Sequence, residues 1–255
     1  MWNYRHWRRR RILANCRIPE QRWRSAMTDL PSLRGLSEED CNRLKALAVL
    51  FMHEKTFEGA GGLRVTDDMR LIIALQACLP ILNLGLKWYR GWVSIVIYPG
   101  GFTPDHAYTD EIGIVHTSRR ALCGEAWLHG PVVLSWPDVE AGSLDRHNLV
   151  IHEFAHKLDM CNGVANGMPP LHRNMDVSIW TRDFSHAFEN FQRDLTHTET
   201  ATRVDPYAAE SPAEFFAVLS ELFFEAADVV TELCPAVYCQ LRDFYRQDPA
   251  GRTAK

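Results

Sequence analysis

One apolar segment that carries two histidines and a glutamate constrains this 255-residue chain more than any other feature. Residues 149–159 contain an H-E-x-x-H pattern, His152, Glu153 and His156, among mostly apolar neighbours. Because an α-helix returns to the same face after about four residues, both imidazoles leave one side of a helix that is otherwise suited to the interior. Buried imidazoles need polar partners. We therefore expect His152 and His156 to bind one metal ion, with Glu153 beside it.

The two histidines also indicate which metal the site suits. Tetrahedral zinc accepts imidazole nitrogens and, in catalytic sites, keeps one position for water or substrate. A third protein ligand has to come from elsewhere in the chain. The residue six positions after His156, a histidine in the metzincin pattern, is Asn162 here. We therefore exclude that class and expect an acidic ligand on a later helix.

The apolar segment 212–226 offers the best acidic ligand. It carries Glu214, Glu221 and Glu225 at spacings of seven and four, which place the three carboxylates on one face of a helix. Another interpretation needs no metal, because Ser211 and Glu214 also fit a capping box at a helix N-terminus. The spacing alone leaves both explanations of Glu214 open.

Composition and cysteine usage exclude several classes of protein. With 46% hydrophobic and 24% charged residues, the chain is typical of globular rather than disordered proteins. Its longest apolar stretch, residues 71–86, contains polar residues and proline and is shorter than the ~20 residues of a membrane span. We also expect no signal peptide. The seven cysteines lack paired spacing, which favours reduced thiols and a cytoplasmic location.

The order of hydrophobic periodicities predicts an α+β domain. Helical periodicity gives way to short strands and then returns for the rest of the chain. We expect helices at about 37–51 and 66–79, strands at 92–98, 111–116 and 132–136, and helices at about 145–159, 178–195, 212–226 and 235–246. This order is typical of a mainly helical domain with a small, mostly antiparallel sheet.

The N-terminus has a charge balance opposite to that of the rest of the chain. Residues 1–24 contain eight arginines and one glutamate, whereas the remaining residues contain 20 basic and 31 acidic side chains. We therefore expect a basic N-terminal tail at 1–24, solvated or in contact with the acidic body, and one domain at 25–255. The run from Arg8 to Arg11 is compatible with nucleic acid or a membrane surface. Because no nucleic-acid-binding motif follows, we expect neither direct DNA binding nor membrane association.

Several segments resemble one known family. Close similarity to the Mlc titration factor A family of bacterial zinc peptidases is found in Ile151–Asp159, Asp205–Ala209 and Pro212–Glu221, and it continues in Leu79–Leu82, Ile97–Pro99, Asp110–Gly113, Gly130–Leu134 and Phe244–Pro249. The likeness covers about residues 30–250, and we find none in the first 24 residues. The metal-site segments are also similar, more weakly and locally, to the peptidase domain of anthrax lethal factor. The resemblance implies a zincin-like metallopeptidase fold.

The resemblance also implies roles for individual residues. It implies that His152, His156 and Glu214 bind one zinc ion per chain. Glu153 is the implied general base, and Tyr207, seven residues before Glu214, the implied helper of the reaction. The implied activity is hydrolysis of peptide bonds by a zinc-activated water in an aminopeptidase-like enzyme, without a covalent intermediate.

A second role follows from the same resemblance. It implies that the chain binds the glucose-responsive repressor Mlc and so regulates genes of the glucose phosphotransferase system. The alternative is a repressor-binding regulator whose zinc is structural or idle. Glu153 separates the two interpretations, because a purely structural zinc site has no use for a base.

Two further features lie next to the predicted metal helix. Asp159 occupies its last turn, where the helix dipole disfavours an anion, so we expect it to hold a ligand imidazole or a nearby loop. The segment 162–176, rich in glycine, proline and methionine, is a candidate cover for the cleft. We assign no role to the neighbouring histidines and cysteines, namely His116, His147, Cys161, Cys234 and Cys239.

Overall fold

Helices form the N-terminal part of the fold. The computed structural model describes residues 2–100, 106–109, 115–118, 124–126, 130–141, 147–197 and 203–253. The first four helices are α1 (Trp2–Ala14), α2 (Glu20–Thr28), α3 (Glu38–Glu54) and α4 (Asp67–Cys78). The helices predicted at 37–51 and 66–79 are thereby confirmed as α3 and α4. Both begin at side-chain caps, because the Ser37 and Thr66 hydroxyls accept hydrogen bonds from the backbone of Asp40 and Met69.

A small sheet occupies the middle of the chain. The strands in the described ranges are β1 (Thr56–Gly59), β2 (Ser94–Tyr98), β3 (His106–Thr109), β4 (Val115–Ser118), β5 (Gly124–Ala126) and β6 (Val132–Ser135). One sheet has the order β1-β2-β6-β5, and β3 and β4 form a separate antiparallel pair. In the four-stranded sheet, β1 is parallel to β2 and β2 is parallel to β6, whereas β5 is antiparallel to β6.

The prediction of a mostly antiparallel sheet is wrong. Parallel neighbours need a crossover connection, and α4 lies in the connection between β1 and β2. The sequence does not predict β1, because its four residues include a single apolar side chain, Phe57, and give no alternating pattern. Without β1 the crossover through α4 is not recognisable, and the parallel pairing of the two predicted strands β2 and β6 joins segments that are far apart along the chain. The α+β class and the small size of the sheet are confirmed.

The other predicted strands correspond in part to the observed ones. Those at 92–98 and 132–136 are β2 and β6. Of the strand predicted at 111–116, residues 111–114 lie outside the described residues, and β4 begins at Val115. Trp136, which we placed at the end of a strand, is instead the first residue of a helix.

Helices also form the C-terminal half. They are α5 (Trp136–Ala141), α6 (Leu149–Asp159), α7 (Val177–His197), α8 (Pro212–Glu225), α9 (Ala227–Leu233), α10 (Pro235–Tyr245) and α11 (Pro249–Thr253). The four predicted C-terminal helices are confirmed as α6, α7, α8 and α10. The start predicted for the first of them, residue 145, lies outside the described residues.

Helix α6 lies in the centre of the fold. It packs against α8, α4 and β6, and every residue from Val150 to Asp159 is buried. The Phe154 ring contacts those of Phe51, Tyr89 and Trp92, with centroids 5.0–5.6 Å apart. A helix that is enclosed on all sides has little freedom to move. The core therefore fixes the position of the two histidines on α6.

The arginine-rich N-terminus is helical in the structure. Helix α1 packs against α3, and Ile12 and Leu13 contact the hydrophobic core. Helix α2 crosses the boundary that we expect between residues 24 and 25, and the division of the chain at that point stays a prediction. In the described part of the chain, no helix combines the length and apolar character that a bilayer span requires.

Candidate metal centre

The N-terminus of α6 is fastened to α8. Asn148 caps α6 by accepting a hydrogen bond from Ile151 N (2.9 Å). Its backbone N–H donates to Glu221 Oε2 (2.9 Å), and its side-chain amide donates to Glu225 Oε1 (2.6 Å). The glutamate face of α8 thus sets where α6 begins and, with it, the position of the residues that follow.

The structure brings His152, His156 and Glu214 together. The two histidine Nε2 atoms are 3.2 Å apart, and Glu214 Oε2 lies 3.1 Å from His152 Nε2 and 3.3 Å from His156 Nε2. Ligands about 2.0–2.2 Å from one tetrahedral zinc ion are about 3.3–3.6 Å from one another. The observed triangle is close to that spacing. Among the described residues, this triangle is the one group of side chains with the geometry of a three-ligand metal site.

The carboxylate of Glu214 turns towards the histidines rather than back to its own helix end. Ser211 caps α8 by accepting a hydrogen bond from Glu214 N (3.2 Å). The returning hydrogen bond of a capping box, from Ser211 N to the Glu214 side chain, is not among those of the described residues. Burial would raise the pKa of Glu214, but hydrogen bonds and charges of His152 and His156 outweigh it and hold that pKa well below its usual range.

Glu221 holds His152 from the opposite side of the ring. Its Oε1 lies 2.5 Å from His152 Nδ1, which leaves Nε2 of that histidine for the centre of the triangle. Burial opposes a charge on His152, yet Glu221 and Glu214 raise its pKa well above the usual value. The electrostatic environment therefore favours a positive charge at this site. The contact of Glu221 with His152 is not predicted from the sequence, where the available signal is the seven-residue spacing of Glu221 from Glu214.

Glu153 is buried next to the triangle without a hydrogen-bond partner for one of its oxygens. The residue is 3% exposed, and its Oε2, like Nδ1 of His156, has no partner in the described part of the chain. Burial raises the pKa of Glu153 to about 7, although the two histidines act in the opposite direction. A buried carboxylate is costly unless something binds it. The donor set of the triangle and this carboxylate together fit a zinc ion with an adjacent base.

Tyr207 lies at the edge of the same site. A short 3₁₀ turn, Pro206–Ala209, is held by Asp205, whose Oδ1 accepts a hydrogen bond from Tyr207 N (2.8 Å). The Tyr207 ring centroid is 6.2 Å from that of His152, and the residue is 36% exposed. Burial and the charges of Glu214 and Glu210 raise the pKa of its phenol. The hydroxyl group therefore stays protonated at neutral pH and is able to donate a hydrogen bond.

Asp159 holds a loop, which is one of the two roles that we expected for it. Its Oδ2 accepts hydrogen bonds from Asn166 N (2.8 Å) and Gly167 N (2.7 Å). The Gly167 carbonyl accepts one from Trp180 Nε1 (3.2 Å). Gly167 has φ +81°, and a Cβ at this position would lie 2.4 Å from the carbonyl oxygen of Pro212. The loop thus separates the end of α6 from the start of α8, two residues before Glu214.

The remaining candidates stay outside the triangle. His147 is exposed, with Nδ1 3.9 Å from oxygens of Asp205 and Glu221. The Cys161 thiol contacts the carbonyl oxygens of Trp88 and Lys157, and neither Cys234 nor Cys239 joins a metal-binding group of described residues. The side chain of His116 lies outside the described residues. Whether the segment 162–176 covers a cleft stays a prediction, although Asp159 holds its central part in place.

Comparison with known proteins identifies the family. A sequence model of the glucose-regulated metallo-peptidase M90 family matches residues 4–246. Two relatives called Mlc titration factor A, from Yersinia pestis (strain Pestoides F) and Yersinia pseudotuberculosis serotype O:1b (strain IP 31758), are each 42% identical to this chain over 234 residues. Those residues are 90% of this chain and 86% of each relative.

These matches confirm the resemblance and extend it. Because the family match begins at residue 4, our expectation that the first 24 residues lack the likeness is wrong. The arginine-rich segment forms α1 and packs on α3, so most of it lies within the part of the fold that the family shares. By both measures, the chain belongs to the glucose-regulated metallo-peptidase M90 family.

Proposed function

We propose that this chain is a zinc-dependent peptidase in which His152, His156 and Glu214 hold one zinc ion. The observation that carries the proposal is the triangle of two Nε2 atoms and one carboxylate oxygen, with sides of 3.1–3.3 Å. Two imidazoles and one carboxylate are a common ligand set of catalytic zinc, which leaves the fourth position for water or substrate. Membership of a metallopeptidase family supports the same assignment.

Glu153 is the proposed general base. Bound zinc would polarise the carbonyl of the scissile peptide bond and lower the pKa of the attacking water. The Glu153 carboxylate, which has an oxygen without a partner in the described chain, takes a proton from that water and passes it to the leaving amine. Proton transfer of this kind accelerates a reaction by a factor of about 10²–10⁴. The reaction then needs no covalent intermediate.

Tyr207 is the proposed oxyanion donor. As the carbonyl becomes tetrahedral, negative charge develops on its oxygen, and a donor placed there stabilises the transition state. The position of the Tyr207 ring next to His152 and the protonated state of its hydroxyl group support this role. Asp159 is proposed to act on the metal centre indirectly. It holds the loop at Gly167, and this loop keeps the start of α8 in place.

The test of this proposal uses Glu153→Gln. The amide keeps the shape of the side chain but does not accept the proton, so we expect one zinc ion per chain and a rate of peptide hydrolysis reduced by about 10²–10⁴. Short peptides and aminoacyl anilides as substrates also test the proposed aminopeptidase-like specificity. Chelation and readdition of zinc to the wild-type protein is the control. Turnover of the Gln variant at the wild-type rate would contradict the role of Glu153.

A second function, binding of an Mlc-type transcriptional repressor, is supported by the relatives called Mlc titration factor A. We propose that this chain binds such a repressor in the cytoplasm and thereby raises expression of glucose phosphotransferase genes. The described cysteines are free, which agrees with a reducing compartment. Calorimetric titration of this protein with a purified Mlc-type repressor tests the proposed binding. If the surface binds the repressor, Glu153→Gln should bind as tightly as the wild type, and absence of binding by both proteins would contradict this function.

A further inference from the structure

A cavity of about 720 Å³ lies between α1, α3 and α4, which carry none of the metal-centre residues described above. Five arginines, one histidine and a single aspartate contribute to its lining, together with two aromatic rings of α1 and several aliphatic side chains. Sites for small ligands are commonly cavities of about 300–1,000 Å³ with an apolar lining and a few polar groups. The cavity has the size and mixed lining of such a site.

One face of α1 forms a wall of the cavity. Tyr4, Trp7, Arg8 and Arg11 line it, and their spacing of three and four residues places them on the same side of the helix. Arg9 and Arg10 belong to the same run of arginines but do not line the cavity. All four arginines of the run are exposed. The helix therefore divides otherwise similar cations into two that face the cavity and two that do not.

Much of the positive charge in the cavity has no acidic partner. Arg22 forms an ion pair with Asp68 (3.0 Å), and Asp67 lies only at the limit of contact with Arg22 (3.9 Å) and Arg70 (4.0 Å). Neither Arg8 nor Arg17 takes part in an ion pair of the described chain. Nε of Arg70 is buried and lacks a hydrogen-bond partner there. Because the whole chain has a net charge of −4, this uncompensated positive charge is a local feature.

The aromatic rings of α1 provide an apolar face beside the arginines. Tyr4 and Trp7 are 66% and 53% exposed, and their rings stack with centroids 5.9 Å apart and an interplanar angle of 28°. The Arg11 guanidinium lies 5.4 Å from the Trp7 ring centroid. Exposed rings with adjacent cations suit a ligand that is planar at one end and anionic at the other.

We propose that this cavity binds a nucleoside phosphate, with the phosphate groups at the arginines and the base against the rings of Trp7 and Tyr4. Planar guanidinium groups bind phosphate oxygens through paired, charge-assisted hydrogen bonds. Any of the nucleobases is able to stack on an aromatic side chain. The cavity volume of about 720 Å³ is that of a small-ligand site, which favours a nucleoside phosphate over a nucleic-acid polymer. This site does not depend on the proposed peptidase activity.

The test is a calorimetric titration of the full-length, zinc-loaded protein with ADP at an ionic strength of about 0.15 M. Arg8→Ala/Arg11→Ala removes two cavity cations, and Arg9→Ala/Arg10→Ala removes the same charge from the same helix outside the cavity. We expect the first double variant to bind ADP at least about tenfold more weakly, because it loses charge-assisted hydrogen bonds. The second should change the affinity by less than about twofold. Circular dichroism checks that α1 stays helical in both.

Other ligands test the two halves of the proposed site. Adenosine and inorganic pyrophosphate should each bind more weakly than ADP, because each occupies only one half. Equal losses in the two double variants, or no binding of ADP at about 1 mM, would overturn the proposal. So would a short oligothymidylate that binds at the cavity arginines while ADP does not, because the occupant would then be single-stranded nucleic acid.

Discussion

The metal centre and the N-terminal cavity both contain several charged side chains, but these are buried and paired at the metal centre and largely exposed and unpaired in the described part of the cavity. At the metal centre, Glu214 and Glu221 hold His152 between them at 3.1 and 2.5 Å in a buried environment. In the cavity, Arg8 and Arg17 are exposed and have no acidic partner among the described residues. Buried charge is costly unless it is paired, whereas exposed charge is tolerated without a partner.

This difference teaches how far each region depends on its surroundings. The positions of the metal-centre side chains are set by α6, α8 and the loop at Gly167, so that a substitution that displaces one of these elements should affect metal binding. The arginines of α1 are solvated and need no such support. The comparison predicts large effects of substitutions at the centre and, for substitutions at the cavity, no effect on zinc or turnover.

The largest effect is expected from His156→Ala. This variant should lose stoichiometric zinc and peptide hydrolysis, because one corner of the triangle is missing. Its free energy of unfolding should also fall, by about 4 kcal/mol where free zinc is 1,000 times its Kd. Zinc analysis, a hydrolysis assay and urea unfolding measure the three quantities. His147→Ala, next to α6 but outside the triangle, is the control. One zinc ion per chain in His156→Ala would contradict the predicted dependence of the metal centre on this residue.

Glu214→Gln should be nearly as severe and also separates the two interpretations of this residue. As a ligand, its loss leaves two imidazoles, so that a mild chelator should remove zinc and hydrolysis should cease. Ser211→Ala removes the cap of the same helix and should cost about 0.5–2 kcal/mol of stability without loss of zinc. Zinc content and thermal unfolding of both variants provide the measurement. If Glu214→Gln behaves like Ser211→Ala, the ligand role is wrong.

A smaller effect is expected from Gly167→Ala, which acts on the metal centre through the loop. The new Cβ meets the Pro212 carbonyl at 2.4 Å, so the start of α8 must shift and carry Glu214 with it. We expect zinc affinity to fall about 10–100-fold, as for other changes just outside a ligand set. Gly62→Ala has the same φ of +81° but open space, so it should lose about 1–2 kcal/mol of stability and keep its zinc affinity. Competition with a zinc-binding dye measures both, and equal affinities would show that the loop does not position Glu214.

The last prediction concerns folding stability rather than the metal, at Lys55, a buried cation that contrasts with the exposed arginines. Its Nζ donates to the carbonyl oxygens of Tyr89 (2.5 Å) and Trp92 (2.7 Å), and burial lowers its pKa to about 8. Between this value and about 10.4, the unfolded chain binds a proton that the folded chain lacks. The free energy of unfolding should therefore rise with pH across this window, by up to about 1.4 kcal/mol per pH unit.

Lys55→Met isolates this contribution. The variant should lose the part of the rise that Lys55 causes. Lys157, whose pKa burial also lowers to about 8, is present in both proteins, and its charge is one of the causes that lower the pKa of Lys55. Urea unfolding at several pH values from 8 to 10 gives the difference. Parallel pH profiles for the two proteins would mean that Lys55 titrates as an exposed lysine does.

The sequence was most informative where a structure depends on local spacing. The H-E-x-x-H pattern and the apolar periodicity predict α6 and its histidine face, because residues four apart meet on one helix. The direction of the sheet was not predictable in the same way. It depends on β1, whose single apolar residue Phe57 gives no pattern, and on the long-range parallel pairing of β2 with both β1 and β6.

The candidate site shows the same limit. The contact of Glu221 with His152 and the position of Gly167 against Pro212 join segments that are far apart along the chain. From the sequence, Asp159 is expected to hold either a ligand imidazole or a nearby loop, and only the packing of the loop decides between the two. The cavity face of α1 was missed because the importance of Arg8 and Arg11 depends on how this helix packs on its neighbours.

The central claim is that His152, His156 and Glu214 hold one metal ion, and a crystal structure of the protein grown with zinc tests it most directly. Anomalous difference maps recorded on both sides of the zinc absorption edge locate the ion without assumptions about its ligands. The account predicts one peak about 2.0–2.2 Å from the two Nε2 atoms and the carboxylate oxygen. Absence of a peak inside the triangle, or a zinc ion bound through other residues, would contradict it.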